Sequence, residues 1–166
     1  MSNKIDNVLL LLKELYDYGI LYNPNNLEVK DILESMYLLK RREGEYIDNE
    51  NLIIELVSNY NTDELNIGGV SFYNPDDFIY LDDMLCVGSD GAGDFIACDE
   101  KNIIYNLIDD GTKIEIANSG EKFIEKLTEV GKFNFSKSND KDALNNVLNK
   151  ISDNEKARGF YLSLMS

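Results

Sequence analysis

Residues 86–100 read CVGSDGAGDFIACDE. Apolar runs flank a loop that sets Gly88, Gly91 and Gly93 among Asp90 and Asp94. Two short apolar segments split by glycine and aspartate are the signature of a hairpin in an antiparallel sheet. Gly91 and Gly93 are then expected to supply positive φ, and Asp90 to bond back to the backbone of the turn.

Chemical readings of the loop fare worse. A phosphate cradle needs P-loop or dinucleotide spacing and a helix behind it, whereas DFIACDE reads as a strand and Asp90 and Asp94 would repel the anion. Asp90, Asp94, Asp99 and Glu100 offer hard oxygen ligands, but not in the spacing of a calcium-binding helix–loop–helix. The chain has no His, which removes the commonest general base and every Ser-His or Cys-His pair. Cys86 sits between Leu85 and Val87 and reads as a small buried thiol, as does Cys98. No catalytic residue, resident metal or cofactor is expected. A carboxylate- or metal-dependent hydrolase stays as the least favoured alternative.

Working outward from the loop, further short strands are expected at 70–73, 78–81, 102–108 and 113–117, with 84–88 and 94–99 on either side of the glycines. Turns fall at Pro75-Asp76-Asp77 and Asp109-Asp110-Gly111. Before the strands, helical spacing joins Ile5, Val8, Leu9, Leu12, Leu15 and Tyr16, with Ser2 or Asn3 as cap and Gly19 as stop. A second helix is expected from an Asn26 cap to about Arg42, with Ile32, Leu33, Met36 and Leu39 on one stripe and Gly44 ending it. A third is expected over about 48–60, with Leu52, Ile53, Leu56 and Val57 on one side, and its β-branched content leaves a strand as the alternative. After the strands, Asn118 and Glu121 suggest a capping box that opens a helix to about Val130. Residues 133–136 read as a connector, and helices are expected at 140–151 and 153–164. Helices, then hairpins, then helices imply a single α+β domain over 1–166 with an antiparallel sheet. N-terminal helices occupy about 3–60, a core about 67–130 and a helical tail about 139–165.

The chain carries 31 acidic and 16 basic residues, a net charge of −15. The imbalance is local. From Glu43 to Glu100, 58 residues, there are 15 acids and no Lys or Arg, and the rest of the chain is neutral. Nucleic acid is therefore not an expected partner, because binding it requires neutralising cations. The N-terminal apolar run is too short to span a bilayer and lacks a small-residue cleavage site. With two cysteines and no disulfide framework, a cytoplasmic protein is expected, with no membrane association. The acidic segment is either a solvated face or a docking surface for a basic partner.

An ordered series of residues resembles the core of the SUKH superfamily, the Smi/Knr-like proteins. It comprises Gly88, Asp90, Gly93 and Asp94, then Asp99, then Ile104-Tyr105, then Ala117, Ser119 and Phe123-Ile124. Phe72-Tyr73 and the acidic turn after it resemble the segment that precedes that core. The likeness covers roughly 67–130. It departs from the family pattern in lacking a Leu-Pro pair before Gly68-Gly69 and in having Gly120 after Ser119.

The resemblance implies a curved antiparallel sheet with helices packed around it. It also implies a binding protein, in bacteria often an immunity protein that neutralises a toxin such as a nuclease. Fungal relatives, linked to cell-wall control, leave a regulatory or scaffolding module as the alternative. The expected contacts are Asp76, Asp77, Asp82, Asp83, Asp90, Asp94, Asp99 and Glu100, with Tyr73 and Tyr80 as aromatic anchors.

Overall fold

A computed structural model describes residues 3–165. Three helices come first: α1 (Asn3–Tyr22), α2 (Leu27–Tyr37) and α3 (Leu52–Asn59). Seven strands follow: β1 (Asn66–Ile67), β2 (Val70–Phe72), β3 (Ile79–Leu81), β4 (Met84–Ser89), β5 (Phe95–Cys98), β6 (Ile104–Leu107) and β7 (Lys113–Ala117). The chain closes with α4 (Gly120–Ser136), α5 (Lys141–Ile151) and α6 (Glu155–Leu164). All strand pairings are antiparallel, in the order β1-β2-β4-β5-β6-β7, with β3 also on β4. The class is α+β, a curved antiparallel sheet with helices against it, as the order of elements requires.

Local chemistry sets most helix starts. Asn26, Asn51, Ser119, Asp140 and Asn154 each accept a backbone N–H in the first turn of α2 to α6 respectively. Such a cap stabilises a helix by about 1 kcal/mol. The inner sheet face, with Val87, Ile96, Ile104 and Ile116, joins one core with Phe123, Ile124, Leu127 and Val130 of α4. Ile5, Val8, Leu12 and Leu15 of α1 complete it. The other face carries a smaller cluster drawn only from the sheet: Met84, Cys86 and Ala97, with Phe95, Tyr105 and Leu107 packed on them.

β2 and β3 share one side of β4. Phe72 pairs with Gly88, and Ile79 with Cys86. Together they form a single interrupted strand. Between them the chain loops out through a 3₁₀ turn, Pro75–Asp77. Gly88 marks the tight point of that pairing, because a Cβ there would lie 2.3 Å from the Ser71 carbonyl oxygen.

Several expectations are corrected. Gly19 does not stop α1; it is buried within it, facing Leu33 and Phe135. Ser2 lies outside the described residues. α2 ends at Tyr37, well before Gly44. Beyond it the chain is drawn alongside the end of α3, where Arg41 bridges to Tyr60 and the Arg42 N–H donates to the Asn59 carbonyl. Those long-range bonds outcompete continuation of the helix. Ile32 is 55% exposed, and α2 buries Leu33 and Tyr37 instead. Ser119, not Asn118, caps α4. Residues 133–136 are the last turn of α4 rather than a connector, because Phe133 is buried and Phe135 packs edge-on against Tyr37. Gly88, expected with Gly91 and Gly93 as a turn glycine, is paired on both sides within β4, where β2 approaches too closely for a side chain; Gly93 has φ +90°, but Gly91 does not adopt positive φ.

Candidate functional site

The antiparallel topology distributes the acids. β4 starts beside Asp82 and Asp83, and β5 ends beside Asp99 and Glu100, so these four lie at one end of the sheet. Asp90 and Asp94 lie at the opposite end, next to Asp109 of the β6–β7 turn. Asp76 and Asp77 stand on the 3₁₀ turn between β2 and β3. The expected contact residues are therefore not one patch. Asp76, Asp77, Asp82 and Asp83 bracket β3, whereas Asp90 and Asp94 are removed from it.

Internal bonding separates the acids further. Asp90 Oδ1 accepts the N–H groups of Ala92 and Asp94 at 3.0 Å each, and Oδ2 accepts from Asn106 at 3.2 Å. Its carboxylate shapes the hairpin, as read from CVGSDGAGDFIACDE. Asp99 does the same for the next turn, accepting from the N–H groups of Lys101 and Ile103 and from the Tyr105 hydroxyl. Partial burial pushes the Asp94 carboxyl above its ordinary value, and the charges of Asp90 and Asp109 add to this. Burial also raises the Tyr105 phenol, with the Asp99 carboxylate reinforcing it. Asp76, Asp77, Asp82, Asp83 and Glu100 are exposed and make no side-chain bond to another described residue.

Asp82 and Asp83 also set the hairpin. Leu81 pairs with Met84, leaving a two-residue loop in which Asp82 has φ +47° and Asp83 φ +66°. Positive φ at both positions is the mirror-image turn that matches strand twist, and Asp tolerates it better than most residues. Sequence reasoning missed this turn. The signal was present: Asp-Asp set between the apolar pairs Tyr80-Leu81 and Met84-Leu85.

All three side chains of β3 are exposed: Ile79 42%, Tyr80 78% and Leu81 41%. Register places Ile79 and Leu81 on the face of Cys86 and Met84, beside the smaller apolar cluster. Tyr80 was expected as an anchor, but Ile79 and Leu81 were not, because a strand reading assigns alternate residues to the interior. Tyr73 is half-buried and donates its backbone N–H to the Val87 carbonyl.

The ion pairs seen among the described residues join Lys13 to Asp17, Lys30 to Glu34, Lys122 to Glu125, Lys126 to Asp153, Lys132 to Glu14 and Lys150 to Glu129. Each uses an acid from outside residues 43–100. Arg42, just before that stretch, is turned to the Val57 and Tyr60 carbonyls and to Asn74. The helical layers thus neutralise themselves, while the exposed acids around β3 do not.

Burial pushes both thiols up, and they lie on opposite faces of the sheet, Cys86 in the small cluster and Cys98 in the main core. Among the described residues no group of three acids or cysteines is placed to hold a metal ion. No helix among them is long and apolar enough to cross a membrane. No family model, curated protein or solved structure matches this chain.

Proposed function

We propose that this protein is a non-catalytic binding protein of the cytoplasm, of the immunity type. It neutralises a basic toxin domain, such as a nuclease, by stoichiometric binding through its acidic surface. The observation that carries this reading is the segregation of charge. Asp76, Asp77, Asp82 and Asp83 surround an exposed apolar strand and have no cationic partner, while the ion pairs of the fold lie elsewhere. Exposed carboxylates without cationic partners leave a negative field around that strand. A basic partner complements that charge and is steered to the site by the same field. The motif resemblance over residues 67–130 points the same way, and the raised thiols and missing histidine fit a protein that does no covalent chemistry.

The test is capture from lysate of the source cells at low and high salt, using the wild-type chain and a variant with Asp76, Asp77, Asp82 and Asp83 all changed to Asn. The expected capture is a basic protein that salt releases, that the variant fails to hold, and whose activity the wild type blocks at equimolar ratio. Partners that are acidic, or that bind the variant and wild type alike, overturn the proposal.

A further inference from the structure

The sheet has three edges. At β7, the Glu115 carbonyl accepts from the Asn154 side chain at 3.3 Å and the Ile116 carbonyl from the Tyr161 hydroxyl at 2.6 Å, so α6 covers the C-terminal half of that edge, and Lys113 at its start places a cation there. At β1, the Asn66 carbonyl accepts from the Tyr37 hydroxyl at 3.1 Å, and α4 packs alongside. β3 has no such cover. In a two-residue hairpin the closing pair, Leu81 and Met84, is hydrogen-bonded. Ile79 and Cys86 are then bonded too, and Tyr80 turns its N–H and C=O away from β4. No described group accepts or donates to them.

We infer that β3 is a docking edge on which the partner lays an extended basic segment as an added strand. This rests on the acidic-surface reading above and specifies its mode. An open edge with exposed apolar side chains is the template for strand addition, in which main-chain bonds give affinity and flanking side chains give specificity. Charge decides which strand is accepted. Asp76 and Asp77 precede β3 and Asp82 and Asp83 follow it, so both ends of the edge are negative. Two copies of this chain paired through β3 would bring these carboxylates against one another. A segment alternating Lys or Arg with apolar residues meets the acids with its cations, and Ile79 and Leu81 with its apolar side chains.

The probe is a short synthetic peptide alternating Lys with Val and Thr, compared with the same peptide N-methylated at every second residue. Hydrogen exchange at the Tyr80 amide is the readout. The unmodified peptide is expected to slow it about tenfold or more, and the methylated one to leave it unchanged. Proline is tolerated on an edge strand where its missing N–H faced solvent. Tyr80→Pro is therefore expected to fold and to bind the peptide about tenfold more weakly than Tyr80→Ala. Salt-sensitive binding with unchanged Tyr80 exchange, and with Tyr80→Pro equal to Tyr80→Ala, overturns strand addition but leaves the acidic-surface reading standing. Protection of Tyr80 that persists in the four-Asn variant does the reverse. Absence of peptide binding at low salt, or a wild-type dimer formed through β3, overturns the inference.

Discussion

Changing Tyr161 to Phe removes one oxygen atom from a fully buried ring. That oxygen donates to the Ile116 carbonyl at 2.6 Å. Ile116 has a particular need of it. Ile104 pairs with Ala117 and Tyr105 with Glu115, so Ile116 is the extra residue of a bulge and lacks a partner in the ladder. The ring keeps its volume and its edge contact with Phe160 at 5.0 Å, so no large cavity opens. The loss is a buried carbonyl left unsatisfied, about 2 kcal/mol within the usual span of roughly 1–3. In a domain of this size that lowers the thermal midpoint by about 4–8 °C. Urea unfolding followed by far-UV circular dichroism measures it, with an unchanged slope expected. Burial pushes the Tyr161 phenol well above its ordinary value. The native state therefore keeps its proton above about pH 10, where unfolded tyrosines lose theirs, and wild-type stability falls there. The gap between wild type and Tyr161→Phe is expected to narrow in alkali. A loss under about 0.5 kcal/mol, or a gap that ignores pH, would refute the account of the bulge.

Gly88→Ala sets a Cβ 2.3 Å from the Ser71 carbonyl oxygen, a backbone atom that cannot step aside without breaking the β2–β4 pairing. A loss of about 3 kcal/mol or more is expected, against about 1 kcal/mol for Gly93→Ala, where only the positive φ objects. Comparable urea midpoints for the two variants would show that the β2–β4 approach is not tight. Asp94→Asn is expected to raise the thermal midpoint at neutral pH. A carboxyl whose native value is raised destabilises the fold while ionised, and that penalty disappears as acid protonates it. The variant's advantage should therefore shrink on acidification; an advantage that grows in acid would contradict the assigned direction.

Much of this fold is legible from local chemistry. Asn26 caps α2 and Asp140 opens α5 where expected, because a short polar side chain can reach the first-turn N–H groups and is visible in the sequence; Asn51 does the same for α3, which starts at Leu52 rather than at about 48. The hairpin around Asp90 was readable for the same reason, since its bonds run within five residues of chain. Where reading failed, distant atoms decided. α2 stops at Tyr37 because residues near the end of α3 offer the next backbone groups better partners. Gly19 stays helical because Leu33 and Phe135 need the space beside it. In the same way Phe133 and Phe135 extend α4 through a stretch without a strong local signal.

The candidate site divides along the same line. Sequence alone determined that the net charge lies within residues 43–100, because charge is a sum over residue types and needs no coordinates. It also determined that nucleophile chemistry based on histidine is absent. Only the tertiary structure decided which acids are available. Sheet order sends Asp90 and Asp94 to one end and Asp82 and Asp83 to the other. Turn bonding engages Asp90 and Asp99 and leaves Asp76, Asp77, Asp82 and Asp83 facing water. Tertiary packing also covers β1 and the C-terminal half of the β7 edge and leaves β3 open, since whether a strand's backbone is covered depends on helices far away in the chain.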